Sequence, residues 1–278
     1  MPPPRRALPL RHAVLLGLLQ GPTELLPVSS SAHTILVPLL AGWPYAELDP
    51  PLRKSFEVSL HAGAALALAI RARHELRHVA VRLDRRGAAL LALSAAPPAA
   101  AGYALHELIE RRLGGARGTA CALAGGALAM ALADARPATR SVRDAGARDA
   151  LTIGLAQAIA LIPGVSRNGA TLAAARARGF HRRDAQLLSW RAAPPVMLGA
   201  SLLSGVRTIR RGLPAASRTM LLAGGGGAFC STLASARLLR GLHRHAALLP
   251  YSLYRLLLAG LVAWRLRERA APPGGRLR

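Results

Sequence analysis

Two short stretches of this sequence hold nearly all the side chains able to do chemistry. The first runs Gln20-Gly-Pro-Thr-Glu24-Leu-Leu-Pro-Val-Ser29-Ser30-Ser31-Ala-His33 and sets a carboxylate, three adjacent hydroxyls and an imidazole into an otherwise apolar region. Gln20 and Glu24 are spaced i, i+4, which places both on one face of a helix. Pro27 then breaks that helix, so the serines fall on a loop or at the start of another short helix, where free backbone amides favour an anion. The second stretch is Pro163-Gly164-Val-Ser166-Arg167-Asn168-Gly169-Ala-Thr171. Its glycines let backbone amides approach a ligand closely, and the planar fork of Arg167 matches phosphate oxygens. Simpler descriptions compete with both readings. Serines cap helices, and Arg167 has the composition of an ordinary loop charge. Capping does not account for a glutamate in an apolar run, because ionisable groups in such runs are costly and usually functional.

The elements that must position these residues are apolar. Of 278 residues, 52% are hydrophobic and 18% charged, with a mean hydropathy of +0.28. That composition excludes disorder, and two cysteines, Cys121 and Cys230, make no disulfide framework or metal-ligand spacing. Charge-free windows at Leu25–Ala46, Gly87–His106, Gly118–Ala133, Leu151–Ser166, Ala192–Val206 and Thr219–Ala236 reach or approach the ~20 residues a membrane-crossing helix needs. Val58–Ile70 and Ala246–Trp264, the latter interrupted by Arg255, add two more. Pro97-Pro98 and Pro194-Pro195 lie inside apolar windows and point to kinked or broken helices. Gly224–Gly227 would allow close helix approach.

The net charge of +24 comes almost wholly from arginine, with Lys54 the lone lysine. Arg71, Arg73, Arg77, Arg82, Arg85 and Arg86, then Arg207, Arg210 and Arg211, then Arg265 and Arg267, gather between apolar blocks, as loop charges flanking spans do. With aromatics at 4%, a stacking surface for nucleic acid is not expected, and anionic lipid headgroups are the fitting partner. Arg5, Arg6 and Arg11 before Ala13–Leu19 imitate a signal peptide, but Gln20 and Glu24 follow at once, so the segment is expected to stay in the protein. Gly17-Leu-Leu-Gln20 leading to Pro27-Val-Ser-Ser is echoed half a chain later by Gly154-Leu-Ala-Gln157 leading to Pro163-Gly-Val-Ser. Such internal symmetry, with short interrupted segments at matching positions, points to a membrane binding site.

At the two polar stretches the sequence resembles the bacterial undecaprenyl-diphosphatase (bacitracin-resistance) family. Gln20–His33 is similar to that family's Glu/Gln-x-x-x-Glu…Pro-Val-Ser-Ser-x-x-His signature, and Pro163–Thr171 to its Pro-Gly-x-Ser-Arg-Ser-Gly-Ala-Thr signature. Phe56-Glu57-Val58 with His61-Ala-Gly63, and Pro250-Tyr251 with Tyr254-Arg255, are similar to further blocks in the same order. The departures are Gln20 where many members have glutamate, Leu25 for phenylalanine, Ala32 for glycine and Asn168 for serine.

The resemblance implies an all-α, polytopic integral membrane helical bundle. It would have two inverted repeats (about 7–135 and 145–265), re-entrant short helices, and a basic tail at 266–278. The whole chain is then one transmembrane domain in the bacterial cytoplasmic membrane. The implied reaction is hydrolysis of an isoprenoid diphosphate lipid to the monophosphate and inorganic phosphate. Its implied catalytic residues are Glu24, Ser30, His33 and Arg167. Ser29, Ser31, Gly164, Ser166, Asn168, Gly169 and Thr171 would hold the substrate, and Glu24 with Gln20 a divalent cation, Mg2+ or Ca2+. Ser30, His33 or a water stand as alternative attacking groups. A transporter or flippase of phosphorylated isoprenoid lipid is the competing class, since broken helices at mid-membrane also characterise carriers. Association of copies is compatible with the sequence and not specified by it.

Overall fold

A computed structural model describes residues 7–73, 77, 84–211, 215–239 and 247–270. Arg5, Arg6, Arg82 and residues 271–278 of the expected tail lie outside the described residues, as do the side chains of Arg207, Arg210 and Arg211. The described chain contains eleven α-helices and two 3-10 turns, with no β-strand. In order these are α1 Leu10–Leu25, α2 Ser30–Ala41, α3 Pro50–Arg71, α4 Arg85–Ala104, α5 His106–Leu113 and α6 Ala116–Asp134. The second half continues with α7 Ala147–Ile159, α8 Arg167–Ala177, α9 Arg182–Arg211, α10 Ala215–Leu238 and α11 Leu249–Ala270.

Local sequence accounts for the breaks that matter to the site. α1 ends where Leu26 becomes extended ahead of Pro27, and α2 restarts with Ser29 as N-cap, its hydroxyl accepting from Ala32 N at 3.3 Å. α7 and α8 repeat the device: the chain turns through Pro163-Gly164, and Ser166 caps α8 by accepting from Gly169 N at 3.1 Å. Each half therefore carries a helix–turn–helix hairpin of two short helices.

Of the two alternatives at the proline pairs, a break is not what forms. Pro97-Pro98 and Pro194-Pro195 sit inside α4 and α9, and both helices run on through them. The sharp bend, 69°, comes instead at Leu105 between α4 and α5. A buried bundle tolerates proline within a helix because neighbouring helices re-satisfy the freed carbonyls.

By length and apolar composition, α6 alone among the described helices suffices to cross a membrane, joined by a second if the bent α4–α5 pair counts as one. Among the others, α2 is apolar but only 12 residues long, and charged residues intrude into longer helices such as α3, α9 and α11. Their outward faces nonetheless carry exposed leucines, among them Leu66, Leu202, Leu222 and Leu257.

α10 lies between α1 and α3 and packs along both. A Cβ at Gly17 would meet the backbone of Gly224 and Ala228, one at Gly21 the backbone of Ser231 and Thr232, and one at Gly63 the backbone of Gly225. The Gly224–Gly227 run thus does what small residues do in tightly packed helices, bringing backbones together. α7 packs along α4, and α6 along α11.

The loops joining α6 to α7 and α8 to α9 are tied by arginines to two aspartates. Asp149 accepts from Arg140 (2.7 and 2.9 Å) and Arg178 (2.7 Å). Asp134 accepts from Arg182 (2.8 and 3.0 Å), Arg176 (3.2 Å) and Leu248 N (2.9 Å). Nearby, Asp144 is held below the usual carboxylate range by hydrogen bonds from the Ser141 backbone N–H and hydroxyl. Part of the arginine excess is therefore structural.

Candidate active site

The two hairpins meet at Glu24. It stands one residue from the end of α1, and each carboxylate oxygen is held from a different direction. Oε2 accepts from Ser30 Oγ at 2.8 Å and from Gln20 Nε2 at 3.2 Å. Oε1 accepts from Arg167 Nη2 at 3.2 Å, a contact that spans 143 residues of sequence. The two polar stretches singled out above are thus one site. Arg167 begins α8, directly after its serine cap, so the hairpin turn aims the guanidinium at α1.

Around this pair the remaining predicted residues divide by what they touch. Ser31 Oγ accepts from Gly164 N at 3.4 Å and lies 3.2 Å from Ser29 Oγ, so the serine run stitches one turn to the other. Gly164 has φ +104°, and a side chain there would run into the Thr119 carbonyl; both facts require glycine. Ser166 and Gly169 are joined to each other in the cap of α8. Asn168 donates to Leu25 O at 2.7 Å and accepts from Ser189 Oγ at 3.0 Å, and Ser189 also meets Thr171 Oγ1 at 2.6 Å. These three residues fasten α8 to α1 and α9.

Ser29 is the one non-glycine residue with positive φ among the described residues, at +75°. Strain of this kind, costing on the order of 1–3 kcal/mol, collects at functional sites. His33 helps hold the turn, its Nδ1 lying 2.7 Å from Ser29 O. A carbonyl only accepts, so Nδ1 carries the proton, and in the neutral ring Nε2 is left as acceptor. Its partner is the Tyr254 hydroxyl at 2.6 Å, with the two rings stacked 5.7 Å apart. Ser30 and His33, three residues apart, have separate partners: Ser30 is bonded to Glu24 and His33 to Tyr254.

Three residues of this centre appear in the family blocks of the sequence but were not among the expected site residues. His61 of α3 accepts from Gln20 Nε2 at 3.1 Å and lies 3.5 Å from Glu24 Oε2. Tyr254 and Arg255 arrive from α11. Their signal in the sequence was a tyrosine–arginine pair interrupting an apolar window. A mostly apolar pocket adjoins the polar centre: Glu24 and Arg167 line it together with Leu68, Trp190, Met197 and Leu198 of α3 and α9.

As to a metal, the described residues hold no cluster of three or more His, Cys, Asp or Glu side chains able to bind one. What they do offer is the Glu24 carboxylate and, four residues earlier, a buried Gln20 Oε1 with no hydrogen-bond partner. Such a donor set fits Mg2+ or Ca2+ held largely by substrate phosphates, as one or two protein oxygens commonly do for Mg2+.

Residues 13–261 match the family model described as bacitracin resistance protein BacA. The chain belongs to the BacA family. Among its relatives, the undecaprenyl-diphosphatase of Geobacter sulfurreducens is 38% identical over 266 residues, covering 91% of this chain and 97% of that protein. The undecaprenyl-diphosphatase of Geobacter metallireducens is 37% identical over 88% of this chain and 94% of its own. That of Thermomicrobium roseum is 36% identical, covering 90% and 95%. The matched residues include α1 from Ala13, α2, the α7–α8 hairpin and the first half of α11, so the Glu24–Arg167 centre and its Tyr254–Arg255 support lie inside the matched region.

Proposed function

We propose that this BacA-family chain is an enzyme that hydrolyses undecaprenyl diphosphate to undecaprenyl phosphate and inorganic phosphate. The reaction returns the lipid carrier to cell-wall synthesis and confers bacitracin resistance. The observation that carries the reading is the Glu24 carboxylate bridged to Ser30 and Arg167 in the wall of a mostly apolar groove. The groove suits the isoprenoid tail and the polar centre the diphosphate. The outward leucines fit a multi-pass protein of the bacterial cytoplasmic membrane, with basic loops toward lipid headgroups. The matching α1–α2 and α7–α8 hairpins, and their packing against α10 and α4, support two inverted repeats with re-entrant short helices.

The geometry favours Ser30 as the attacking group and Glu24 as its base. Ser30 Oγ attacks the terminal phosphorus as its proton passes along the 2.8 Å hydrogen bond to Glu24. The bond from that phosphorus to the bridging oxygen breaks, and the lipid monophosphate leaves. Water then attacks the phosphoserine, releasing inorganic phosphate and restoring Ser30. Arg167 offsets charge on the phosphoryl oxygens, an interaction worth most in a dry site. His33, fixed between Ser29 O and Tyr254, keeps the strained turn that points Ser30 at Glu24. A divalent cation held by Glu24 and Gln20 supplies further neutralisation of diphosphate charge when bound.

Phosphate release from detergent-solubilised lipid diphosphate tests the reading. Turnover by the purified chain supports it; binding without release would favour a carrier of phosphorylated lipid. Within that assay Ser30→Ala should lower kcat about a hundredfold, while Ser31→Ala, with folded protein at similar levels, changes it little. Equal small losses at both positions would reduce the serines to helix caps and make water the attacking group.

A further inference from the structure

Arg255 is fully buried, at 0% exposure, and among the described residues no carboxylate pairs with it. Its fork reaches both hairpin turns. Nη1 donates to Pro27 O at 3.4 Å and Nη2 to Gly164 O at 3.1 Å, with Nη1 also 2.9 Å from Met130 Sδ. Nε has no partner. Room for the guanidinium is made by two glycines, since a Cβ at Gly126 or Gly169 would press on it. A buried charge without a counter-charge is expensive and is normally paired. Carbonyl dipoles and a thioether satisfy some of its N–H groups but leave the charge itself. At the centre Glu24 is already matched by Arg167, so Arg255 leaves the site one positive charge in excess.

We propose that Arg255 is a positioning residue for the diphosphate site. It fixes the two turns through their carbonyls, and it supplies the buried positive charge that the anionic head group offsets on binding. This rests on the lipid diphosphate being the ligand.

The test uses Met130, whose sulfur occupies the place a counter-ion would take. Met130→Glu brings a carboxylate to Nη1 and neutralises the charge with the fork retained; Met130→Gln is the neutral control of similar size. The readouts, on the full chain in detergent, are thermal unfolding, affinity for a non-hydrolysable lipid methylene-diphosphonate, and kcat/KM. Removing a unit charge within about 10 Å at an effective dielectric of about 20 corresponds to roughly tenfold in affinity. Met130→Glu should therefore unfold no lower than Met130→Gln, bind the analogue about tenfold more weakly, and lose kcat/KM in step. Equal affinity in the two variants would overturn the proposal. If Met130→Glu does not fold, Arg255→Lys and Arg255→Met decide: affinity kept by lysine and lost in methionine supports the charge, and equal loss refutes it. A wild-type chain that binds the analogue but releases no phosphate would sink the hydrolytic reading, leaving the affinity comparison to judge Arg255 by itself.

Discussion

The chain reverses at Ser29 between α1 and α2, with φ +75°, and at Gly164 between α7 and α8, with φ +104°. Each hairpin has a glutamine in its first helix, Gln20 or Gln157, buried with a side-chain oxygen that finds no partner. Each has a serine capping the second helix. Four residues after the glutamine the two part: Glu24 in the first, Leu161 in the second. After the cap they part again, into Ser30 and His33 on one side and Arg167 on the other. The backbone device is shared and the chemistry is divided, acid and hydroxyl from the first half, cation from the second. The difference also appears in strain. The second hairpin uses the residue that adopts positive φ freely, whereas the first keeps a serine there and holds it with His33.

The division is broken most directly by removing one half's contribution. Glu24→Ala and Arg167→Ala should each lower kcat/KM by on the order of a hundred- to a thousandfold, because each takes away charge placed for the transition state. Phosphate release on folded protein reads this; full activity in Arg167→Ala would make that residue a tie between hairpins and nothing more. A second, smaller effect concerns the turns. Gly164→Ala combines an unfavourable φ with a Cβ pressed on the Thr119 carbonyl, and should cost about 2–4 kcal/mol. A marked fall in unfolding temperature in detergent is the measurement. The smallest change is expected at the positive-φ residue of the other hairpin. Ser29→Gly relieves the positive φ but gives up the cap to Ala32 N, and the two should cancel to within about 1 kcal/mol. If Ser29→Gly proves as damaging as Gly164→Ala, the turns are not equivalent in the way described.

The sequence displayed the site more fully than the scaffold. Gln20 to His33 and Pro163 to Thr171 stood out because polar groups are rare in apolar runs, and they do meet, at Glu24 and Arg167. Less legible was what each hydroxyl would bond. Spacing along α2 brought Ser30 and His33 to one face, but the partners come from α1 and α11, and no local periodicity encodes that. Tyr254 and Arg255 were visible as an interruption of an apolar window without any sign of where they would reach. Among the helices, Pro97-Pro98 and Pro194-Pro195 pointed to kinks or breaks, and both helices run on unbroken through them. Counting apolar windows likewise overstated how many helices qualify as spans by themselves, since helix length and intruding charges also decide it.

The placement of Tyr254 and Arg255 on the last helix has a consequence in time. A chain made at about 5–20 residues per second delivers α1 and α2 roughly ten to fifty seconds before α11. Until then the Glu24 carboxylate and the three serines exist without the phenol that fixes His33 or the guanidinium that draws the two turns together. A chain truncated before Leu249 would carry the acid, the hydroxyl and Arg167 without those two supports, and is expected to show no phosphate release in the detergent assay. Emergence of α11 is the step that brings the first and second halves' turns under one guanidinium.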